Sequence, residues 1–319
     1  MSQPLKIVFM GTADLAAASL RALRAEKSFQ ILAAVSQPDK PRGRELKLHP
    51  TPVKVAALEA GLLVLQPARA RHSDFLAQLA SLKPDLVAVA AYGQILPPAL
   101  LEIPPHGCLN VHTSLLPKYR GAAPIQWALF NGDAQTGVTI MRMDAGLDTG
   151  AILSQVVTPI RDEEDAQRLH DRLAQLGGEL LVKTIPEYVA GRITPVPQPA
   201  EGSTYARKLN KEDGRVDWTA PAQVVWNRLR AFTPWPGGFT TIPDAGGTPR
   251  LLKIGLARLE TGRSGKPGTV LEATRAGMVV ACGTDALRLL EVQREGGRRM
   301  AAADFLAGHP LPNGTQLGG

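Results

Sequence analysis

Continuous apolar runs alternate with amphipathic stretches along the first 112 residues of the chain. The runs lack the period-two alternation of half-exposed strands, which is typical of strands buried on both faces of a sheet; they span residues 5–10, 31–35, 62–65, 86–91 and 108–112. The stretches between them have helical spacing and span residues 14–26, 51–60 and 73–82. Strands and helices in this order predict an α/β fold with a doubly wound, mostly parallel, Rossmann-like sheet.

The pattern changes after residue 135. Two strand-like segments flank a turn at residues 144–150, and a long amphipathic helix is predicted over residues 163–189. Proline, glycine and small polar residues then indicate a linker over residues 190–207. Beyond it, a small β-barrel of the OB kind is predicted from a helix over residues 220–231 and short strands near residues 251–259, 268–274, 277–282 and 286–293. We therefore expect a first domain of residues 1–189 and a second domain of residues 208–319.

Composition favours a globular, cytoplasmic protein. Of the 319 residues, 44% are hydrophobic, which excludes a disordered or collagen-like chain. Cys108 and Cys282 lie far apart, so neither a disulfide framework nor a zinc site is predicted. The first apolar run turns at Gly11 and is typical of a strand rather than a signal peptide. The apolar stretch at residues 85–102 is interrupted by two prolines and is too short to cross a membrane, so no membrane association is expected.

The basic charge of the chain is unevenly distributed. The formal net charge is +7. Residues 1–202 carry 20 basic and 19 acidic side chains, whereas residues 203–319 carry 16 and 10. A basic second domain favours a polyanionic partner such as a nucleic acid, although a solvated basic surface would give the same composition.

The first strand is followed by a turn that lacks the common nucleotide-binding motifs. Gly11 stands alone where a dinucleotide fingerprint has three glycines, and no Walker-type motif occurs in the sequence. Neither a nicotinamide nor a P-loop nucleotide is therefore expected. In a doubly wound sheet the ligand still binds outside the carboxyl ends of the strands, near the topological switch.

Asn110 and His112 are the most informative pair in the chain. Alternation along the strand at residues 108–112 places them on one face at its carboxyl end. An imidazole can move a proton near neutral pH, and a carboxamide can donate to a developing oxyanion. The pair therefore suits addition to a carbonyl-like carbon. An asparagine and a histidine that only satisfy buried polar groups would show the same pattern.

A turn with two carboxylates and two glycines lies at residues 144–150. A carboxylate brought near His112 would orient the ring and stabilise its protonated form. Asp144 and Asp148 are equally well explained as turn-forming residues, which are common in Asp-x-Gly sequences. No nucleophile elbow occurs in the sequence, so a serine hydrolase does not fit.

Four motifs resemble those of the N10-formyltetrahydrofolate-dependent formyltransferases, and the resemblance extends along nearly the whole chain. They are residues 91–97 (AYGQILP), the Asn110-x-His112 pair that leads into residues 114–117 (SLLP), residues 120–126 (RGAAPIQ) and residues 146–150 (GLDTG). The resemblance implies the formyltransferase fold, with a catalytic domain before the linker and a tRNA-binding barrel after it. It also implies 10-formyltetrahydrofolate as the formyl donor and no metal.

The resemblance also implies roles for individual residues. Asn110, His112 and Asp148 match the catalytic residues of the family. Asn110 with His112 would stabilise the oxyanion, and Asp148 would hold and polarise His112 and help to move the proton. The residues that match the folate site are Ser114, Leu115, Leu116 and Pro117, and those that match the pterin pocket are Tyr92, Gly93, Gln94, Ile95 and Leu96.

The resemblance is closest to the branch of the family that acts on tRNA. It implies that the α-amino group of methionine on initiator tRNA attacks the formyl carbon, which gives N-formylmethionyl-tRNA for translation initiation. The basic segment at residues 37–50 matches the loop that recognises the acceptor end in that branch, so Arg42, Arg44 and Lys47 are expected to bind tRNA. Glu45 and Leu46 dilute its positive charge, and a solvated loop is the alternative.

Other functions remain open at this point. A formyltransferase that acts on an amino sugar nucleotide would carry the same three catalytic residues, although the basic segment argues against it. A folate-dependent hydrolase is a further possibility. A tRNA-binding module without catalysis would not need Asn110, His112 and Asp148 together. The protein is expected to be a monomer.

Overall fold

A seven-stranded sheet organises the first part of the chain. The computed structural model describes residues 3–42, 47–244 and 246–318. The strands of this part are, in chain order, β1 (Leu5–Gly11), β2 (Phe29–Val35), β3 (Lys40–Arg42), β4 (Lys47–His49), β5 (Val64–Leu65), β6 (Leu86–Ala90), β7 (Cys108–His112), β8 (Arg120–Gly121), β9 (Gln135–Arg142), β10 (Ile152–Pro159) and β11 (Tyr205–Ala206). The helices are α1 (Asp14–Ala25), α2 (Pro52–Glu59), α3 (Ser73–Ser81), α4 (Pro98–Leu101), α5 (Pro124–Phe130) and α6 (Ala166–Val189). No helix in the described residues is both long and apolar enough to span a membrane.

The sheet has the strand order β10-β9-β7-β6-β1-β2-β5. The five strands from β7 to β5 are parallel to one another. β9 pairs with β7 in antiparallel, and β10 pairs with β9 in antiparallel. Every residue of β6 and β7 is buried, as are the last five residues of β1. The predicted mostly parallel sheet, with apolar strands covered on both faces, is confirmed.

The chain changes direction along the sheet between β1 and β6. It passes from β1 to β2 and β5 on one side, and then to β6 and β7 on the other. The carboxyl ends of β1, β6 and β7 therefore lie side by side at one edge. The turns that follow them begin there, which is where a doubly wound sheet binds its ligand.

The segment between β2 and α2 contains a hairpin where the sequence suggests a flexible loop. β3 and β4 pair in antiparallel, with Lys40 opposite His49. The carboxylate of Asp39 holds the base of the hairpin, because it accepts hydrogen bonds from Lys54 Nζ (2.6 Å) and Gln66 Nε2 (2.8 Å). Each strand has only three residues, too few to show an apolar alternation. Residues 43–46, which include Arg44, lie outside the described residues.

The chain packs into two compact units. The first contains the chain up to Pro124, residues 135–159 and residues 170–206, and the second contains residues 125–134, residues 160–169 and the chain from Arg207 onwards. The remaining elements belong to the second unit. They are a 3-10 helix (Lys211–Gly214), α7 (Ala222–Ala231), β12 (Gly238–Pro243), β13 (Pro249–Glu260), β14 (Val270–Thr274), β15 (Gly277–Ala281), β16 (Ala286–Arg294), β17 (Arg299–Ala301) and α8 (Ala302–Gly308).

The second unit is built on an antiparallel sheet. Its strand order is β12-β13-β16-β15-β14, with β17 paired to β16. Irregularities between Ile254 and Ala257 bend β13 where it pairs with β16. One apolar core lies against this sheet and includes Trp218, Leu252, Val280, Leu287 and Phe305. The prediction of a C-terminal domain of short β-strands is confirmed, and its predicted bounds at residues 208–319 stay a prediction.

A buried arginine joins three strands of the second sheet. Arg288 of β16 donates hydrogen bonds to Glu260 of β13 (2.6 Å) and to Glu272 of β14 (3.1 Å). Arg263 also donates to Glu272 (2.7 Å). Arg263 and then Arg288 lower the pKa of Glu272 from 4.5 to about 2. Because this pKa is depressed, the carboxylate stabilises the fold fully above pH 4.5, and this stabilisation is lost as the pH falls toward 2.

We expect Glu272→Gln to lower the thermal midpoint of the second unit at pH 7, because the amide carries no charge to pair with the two arginines. The difference from the wild-type protein should shrink as the pH falls from 4.5 toward 2, where wild-type Glu272 also becomes neutral. Calorimetric melting curves at several pH values measure both effects. The exposed Glu295 provides a control, Glu295→Gln. A difference that is independent of pH would contradict this account.

Candidate active site

Strand β7 carries Asn110 and His112 to the carboxyl edge of the parallel sheet. The strand lies between β6 and β9, with Asn110 opposite Val89 on one side and Met141 on the other. Both side chains are largely buried, at 9% exposure for Asn110 and 5% for His112. Alternation along the strand places them on the same face, as the sequence predicts.

A main-chain carbonyl fixes the imidazole of His112. The ring atom Nε2 lies 2.8 Å from the carbonyl oxygen of Tyr119. Because a carbonyl can only accept, Nε2 carries the hydrogen. In the neutral ring, Nδ1 therefore has the free lone pair. The residue that supplies this carbonyl has a φ of +61°, so the turn bends sharply at Tyr119.

The turn after β7 is held by side chains of the antiparallel strands β9 and β10. Thr139 Oγ1 donates to the carbonyl of Ser114 (2.7 Å), and Gln155 Nε2 donates to the carbonyl of Leu116 (3.0 Å). Ser114 Oγ closes the turn by donating to the carbonyl of Lys118 (2.6 Å). The serine hydroxyl therefore has an internal partner, and the folate contacts assigned to Ser114, Leu115, Leu116 and Pro117 stay a prediction.

The structure distinguishes the two aspartates that the sequence left equivalent. Asp144 is exposed, and its Oδ1 accepts from Gly146 N (3.0 Å) and Thr149 Oγ1 (2.7 Å), so it forms the turn. Asp148 is partly buried, and its Oδ2 accepts from the backbone N–H of Gly121 (2.8 Å). Only Asp148 faces the imidazole.

His112 and Asp148 face each other without a direct hydrogen bond. Asp148 Oδ2 lies 3.7 Å from His112 Nδ1, which is too long for one. In a serine-protease triad the aspartate itself holds the imidazole. Here the carbonyl of Tyr119 orients the ring, and the carboxylate is close enough to stabilise a positive charge on it. This arrangement can accept a proton at Nδ1.

The side chain of Asn110 has no intramolecular hydrogen-bond partner among the residues that the structure describes. The buried side-chain atoms that lack a partner in the described residues are Tyr92 Oη and Arg230 Nε, so the polar atoms of the Asn110 side chain are reached by solvent. The observation counts against the alternative in which Asn110 merely satisfies buried polar groups. It leaves an NH₂ donor on the face that His112 shares.

The loop after β6 presents main-chain groups at the same edge of the sheet. Its carbonyl at Tyr92 accepts from Thr12 Oγ1 (2.8 Å) and Gln37 Nε2 (2.8 Å), and Gln94 Oε1 accepts from Ala70 N (2.9 Å). These bonds anchor the loop, whereas the Ile95 side chain is 82% exposed. In the described part of the chain, the N–H groups of residues 93–96 make no hydrogen bond. Among the residues predicted to line the pterin pocket, Tyr92 and Gln94 therefore anchor the loop, whereas residues 93–96 have main-chain N–H groups that are free to donate.

Cys108 begins the strand that carries Asn110 and His112. Burial raises the pKa of its thiol to about 12, so the thiol stays protonated near neutral pH and is not a nucleophile. No cluster of three or more metal-binding side chains was found within residues 3–42, 47–244 and 246–318.

Two of the three predicted tRNA-binding residues lie on the β3–β4 hairpin. Arg42 ends β3 and Lys47 begins β4, so the two are paired across the hairpin. Arg44 belongs to the connection outside the described residues. Their role in binding tRNA stays a prediction.

Sequence reasoning missed three groups that hold His112 and Asp148. Two are the main-chain groups of Tyr119 and Gly121 already described. The third is Gln198, which donates to the carbonyl of Asp148 (2.9 Å). Main-chain groups occur at every residue, so the amino-acid sequence does not reveal which of them matter. Gln198 lies in a proline-rich segment typical of a linker. Only the tertiary structure shows that these groups act together.

Comparison with protein families matches both parts of the chain. The formyl transferase model matches residues 5–185, and the model of the formyl transferase C-terminal domain matches residues 208–310. The methionyl-tRNA formyltransferase of Geobacter metallireducens is 48% identical over 314 residues, which cover 98% of this chain and 99% of the relative. That of Myxococcus xanthus is 50% identical over 316 residues, which cover 99% and 98%.

Solved structures share the fold at much lower sequence identity. An N-formyltransferase from Helicobacter canadensis, solved with folinic acid and dTDP-3-aminofucose, has a TM-score of 0.66 and 19% identity over 89% of this chain and 99% of its own. HypX from Aquifex aeolicus in complex with tetrahydrofolic acid has a TM-score of 0.64 and 16% identity over 96% of this chain and 47% of its own.

Proposed function

Since the chain belongs to the methionyl-tRNA formyltransferase family, we propose that it transfers the formyl group of 10-formyltetrahydrofolate to the α-amino group of methionine on initiator tRNA. The product is N-formylmethionyl-tRNA, which starts translation. The similarity to these relatives extends through the second unit, which supports tRNA over an amino sugar nucleotide as the acceptor.

The observation that carries the proposal is the unpaired carboxamide of Asn110 beside a constrained imidazole. Asn110 is buried, and it shares one face of β7 with His112. The ring of His112 has its Nδ1 turned toward a carboxylate. A hydrogen-bond donor, a proton acceptor and a negative charge thus lie together at the carboxyl edge of the sheet, as transfer of an acyl group to an amine requires.

The reaction begins with loss of a proton from the methionyl ammonium. His112 accepts this proton at Nδ1, the ring atom with the lone pair. The charge of Asp148, 3.7 Å away, stabilises the resulting imidazolium. A model α-amino group titrates at about 7.7–8.0, so little free energy is needed to remove the proton near neutral pH.

The neutral amine then attacks the formyl carbon. As the new C–N bond forms, the carbonyl electron pair moves to the formyl oxygen, and the NH₂ group of Asn110 stabilises that oxyanion. Collapse of the intermediate breaks the bond between the carbon and N10 of the folate. The imidazolium of His112 donates its proton to N10, and the neutral ring then accepts the second proton of the attacking nitrogen and releases it to solvent. The products are tetrahydrofolate and the formylated amine.

The loop at residues 91–97 has groups that fit the flat donor. The free N–H groups of residues 93–96 suit the polar edge of a pterin, which needs several donors and acceptors in one plane. The main-chain carbonyl of Tyr92 and the side-chain oxygen of Gln94 accept the hydrogen bonds that hold the loop, and the side chain of Tyr92 is buried. We assign the donor to this loop and to the turn at residues 114–117.

The basic residues of the chain provide the contacts for the tRNA backbone. Residues 203–319 contain most of the surplus positive charge. Arg42 and Lys47 belong to the β3–β4 hairpin, and Arg44 lies between them in the sequence. Contacts of this kind position a nucleic acid without reading its sequence. The protein acts as a monomer in the cytoplasm.

We expect Asp148→Asn to lower kcat for formylation of methionyl initiator tRNA by at least about 10²-fold. The amide oxygen can still accept from Gly121 N–H, but the side chain has no charge to stabilise the imidazolium. Asn110→Ala should lower kcat by about 10²- to 10³-fold, and His112→Ala by about 10²- to 10⁴-fold. Transfer of radiolabelled formyl groups measures all three.

Asp144→Asn is the matched control for Asp148→Asn. It lies in the same turn, and its amide oxygen can still accept from Gly146 and Thr149. Its kcat should stay within about twofold of wild type. Full activity of Asp148→Asn or His112→Ala would show that the proposed catalytic roles are wrong.

We expect the affinity for methionyl-tRNA to fall steeply with salt, because phosphate contacts release counterions. Arg44→Ala should weaken tRNA binding and reduce the slope of log affinity against log salt by about one, which corresponds to one lost phosphate contact. The KM for the formyl donor should not change. Arg24→Ala, at an exposed position on α1, serves as the control. A flat salt response would exclude the proposed backbone contacts.

A further inference from the structure

The chain between α6 and the second unit is bonded to the loop that carries Asp148. Val196 and Ile152 exchange two backbone hydrogen bonds of 2.8 and 2.9 Å. Ile152 begins β10, four residues after Asp148. The segment at 190–207, which the sequence predicts to be a linker, is therefore held against the candidate active site.

Every polar group of the Gln198 side chain is hydrogen-bonded. Its Nε2 donates to the carbonyls of Asp148 (2.9 Å) and Gly150 (2.8 Å), and its Oε1 accepts from Arg120 Nε (3.0 Å). A guanidinium can only donate, so Arg120 defines which end of the carboxamide is oxygen. The NH₂ group must then face the two carbonyls, which are acceptors.

The first of these two hydrogen bonds binds the main chain of Asp148, the residue that carries the carboxylate. Asp148 has a φ of +52°, in the left-handed region that residues other than glycine rarely adopt. Its backbone conformation determines where its side chain leaves the loop. By binding the carbonyl of Asp148 and the carbonyl two residues later, Gln198 holds this conformation in place.

The same segment also holds the turn that orients His112. The hydroxyl of Thr204 accepts from Tyr119 N (2.8 Å), and the carbonyl of Thr204 accepts from Arg120 N (2.9 Å). β11 then pairs with β8 in parallel. One stretch of chain is thus bonded to both loops whose spacing brings the imidazole and the carboxylate together.

We propose that Gln198 is a positioning residue for formyl transfer, which acts through the main chain of Asp148 and does not touch substrate. The proposal rests on the proposed function, in which the Asp148 carboxylate stabilises the protonated His112. Loss of the Gln198 carboxamide leaves two loop carbonyls without their donor and allows the carboxylate to turn away from Nδ1. The consequence is a slower chemical step with unchanged substrate binding.

Gln198→Ala should lower kcat for methionyl-tRNA by about 10- to 100-fold, with KM for tRNA and for the formyl donor within about twofold of wild type. Gln198→Glu keeps an acceptor for Arg120 but places a carboxylate oxygen against two carbonyls. It should therefore be at least as slow as Gln198→Ala. Glu201→Ala, at an exposed position in the same segment, should have the wild-type kcat.

A double variant separates positioning from general destabilisation. If Gln198 acts through Asp148, adding Gln198→Ala to Asp148→Asn should cost less than about threefold, because the group that it positions is already inactive. An equal loss in both backgrounds, or a wild-type kcat for Gln198→Ala, would overturn the proposal. A fully active Asp148→Asn enzyme is a different result: it would contradict the catalytic role of Asp148 and, with it, the positioning role of Gln198.

Discussion

The carbonyl of Tyr119 and the N–H of Gly121 set the separation of the two ionisable groups of the site. The carbonyl binds His112 Nε2 at 2.8 Å, and the N–H binds Asp148 Oδ2 at 2.8 Å. The two main-chain groups are two residues apart, so the distance from imidazole to carboxylate depends on the shape of one turn rather than on a bond between them. Gly121 has a φ of +110°, and a Cβ there would lie 2.7 Å from the carbonyl of Ala206, so this position requires glycine.

The topology of the sheet explains why this turn lies next to the loop proposed to bind the donor. The carboxyl ends of β6 and β7 are neighbours, so the loop with free N–H groups and the strand with Asn110 and His112 lie at the same edge. β9 runs antiparallel to β7, so the connection between β9 and β10 begins beside the start of β7, and Asp148 of this connection lies 3.7 Å from His112 Nδ1. The loop proposed to bind the donor and the pair proposed to stabilise the oxyanion and accept the proton therefore lie at one edge of the sheet.

The sequence was sufficient to predict the parallel sheet and the pair on β7, but not the contacts that hold them. Buried parallel strands leave long apolar runs, and alternation alone places Asn110 and His112 on one face. Tyr119 and Gly121 act through main-chain groups, which no side-chain pattern reveals. Gln198 lies in a segment whose prolines are typical of a linker. Asp144 and Asp148 can be distinguished only by their burial and hydrogen bonds in the folded chain.

The choice of acceptor is the central claim, because an N-formyltransferase solved with dTDP-3-aminofucose shares this fold. The most direct test compares kcat/KM for methionyl initiator tRNA and for a dTDP-linked amino sugar, with 10-formyltetrahydrofolate as the donor for both. We predict rapid formylation of the tRNA and only background transfer to the sugar. Preferential formylation of the amino sugar nucleotide would contradict the account.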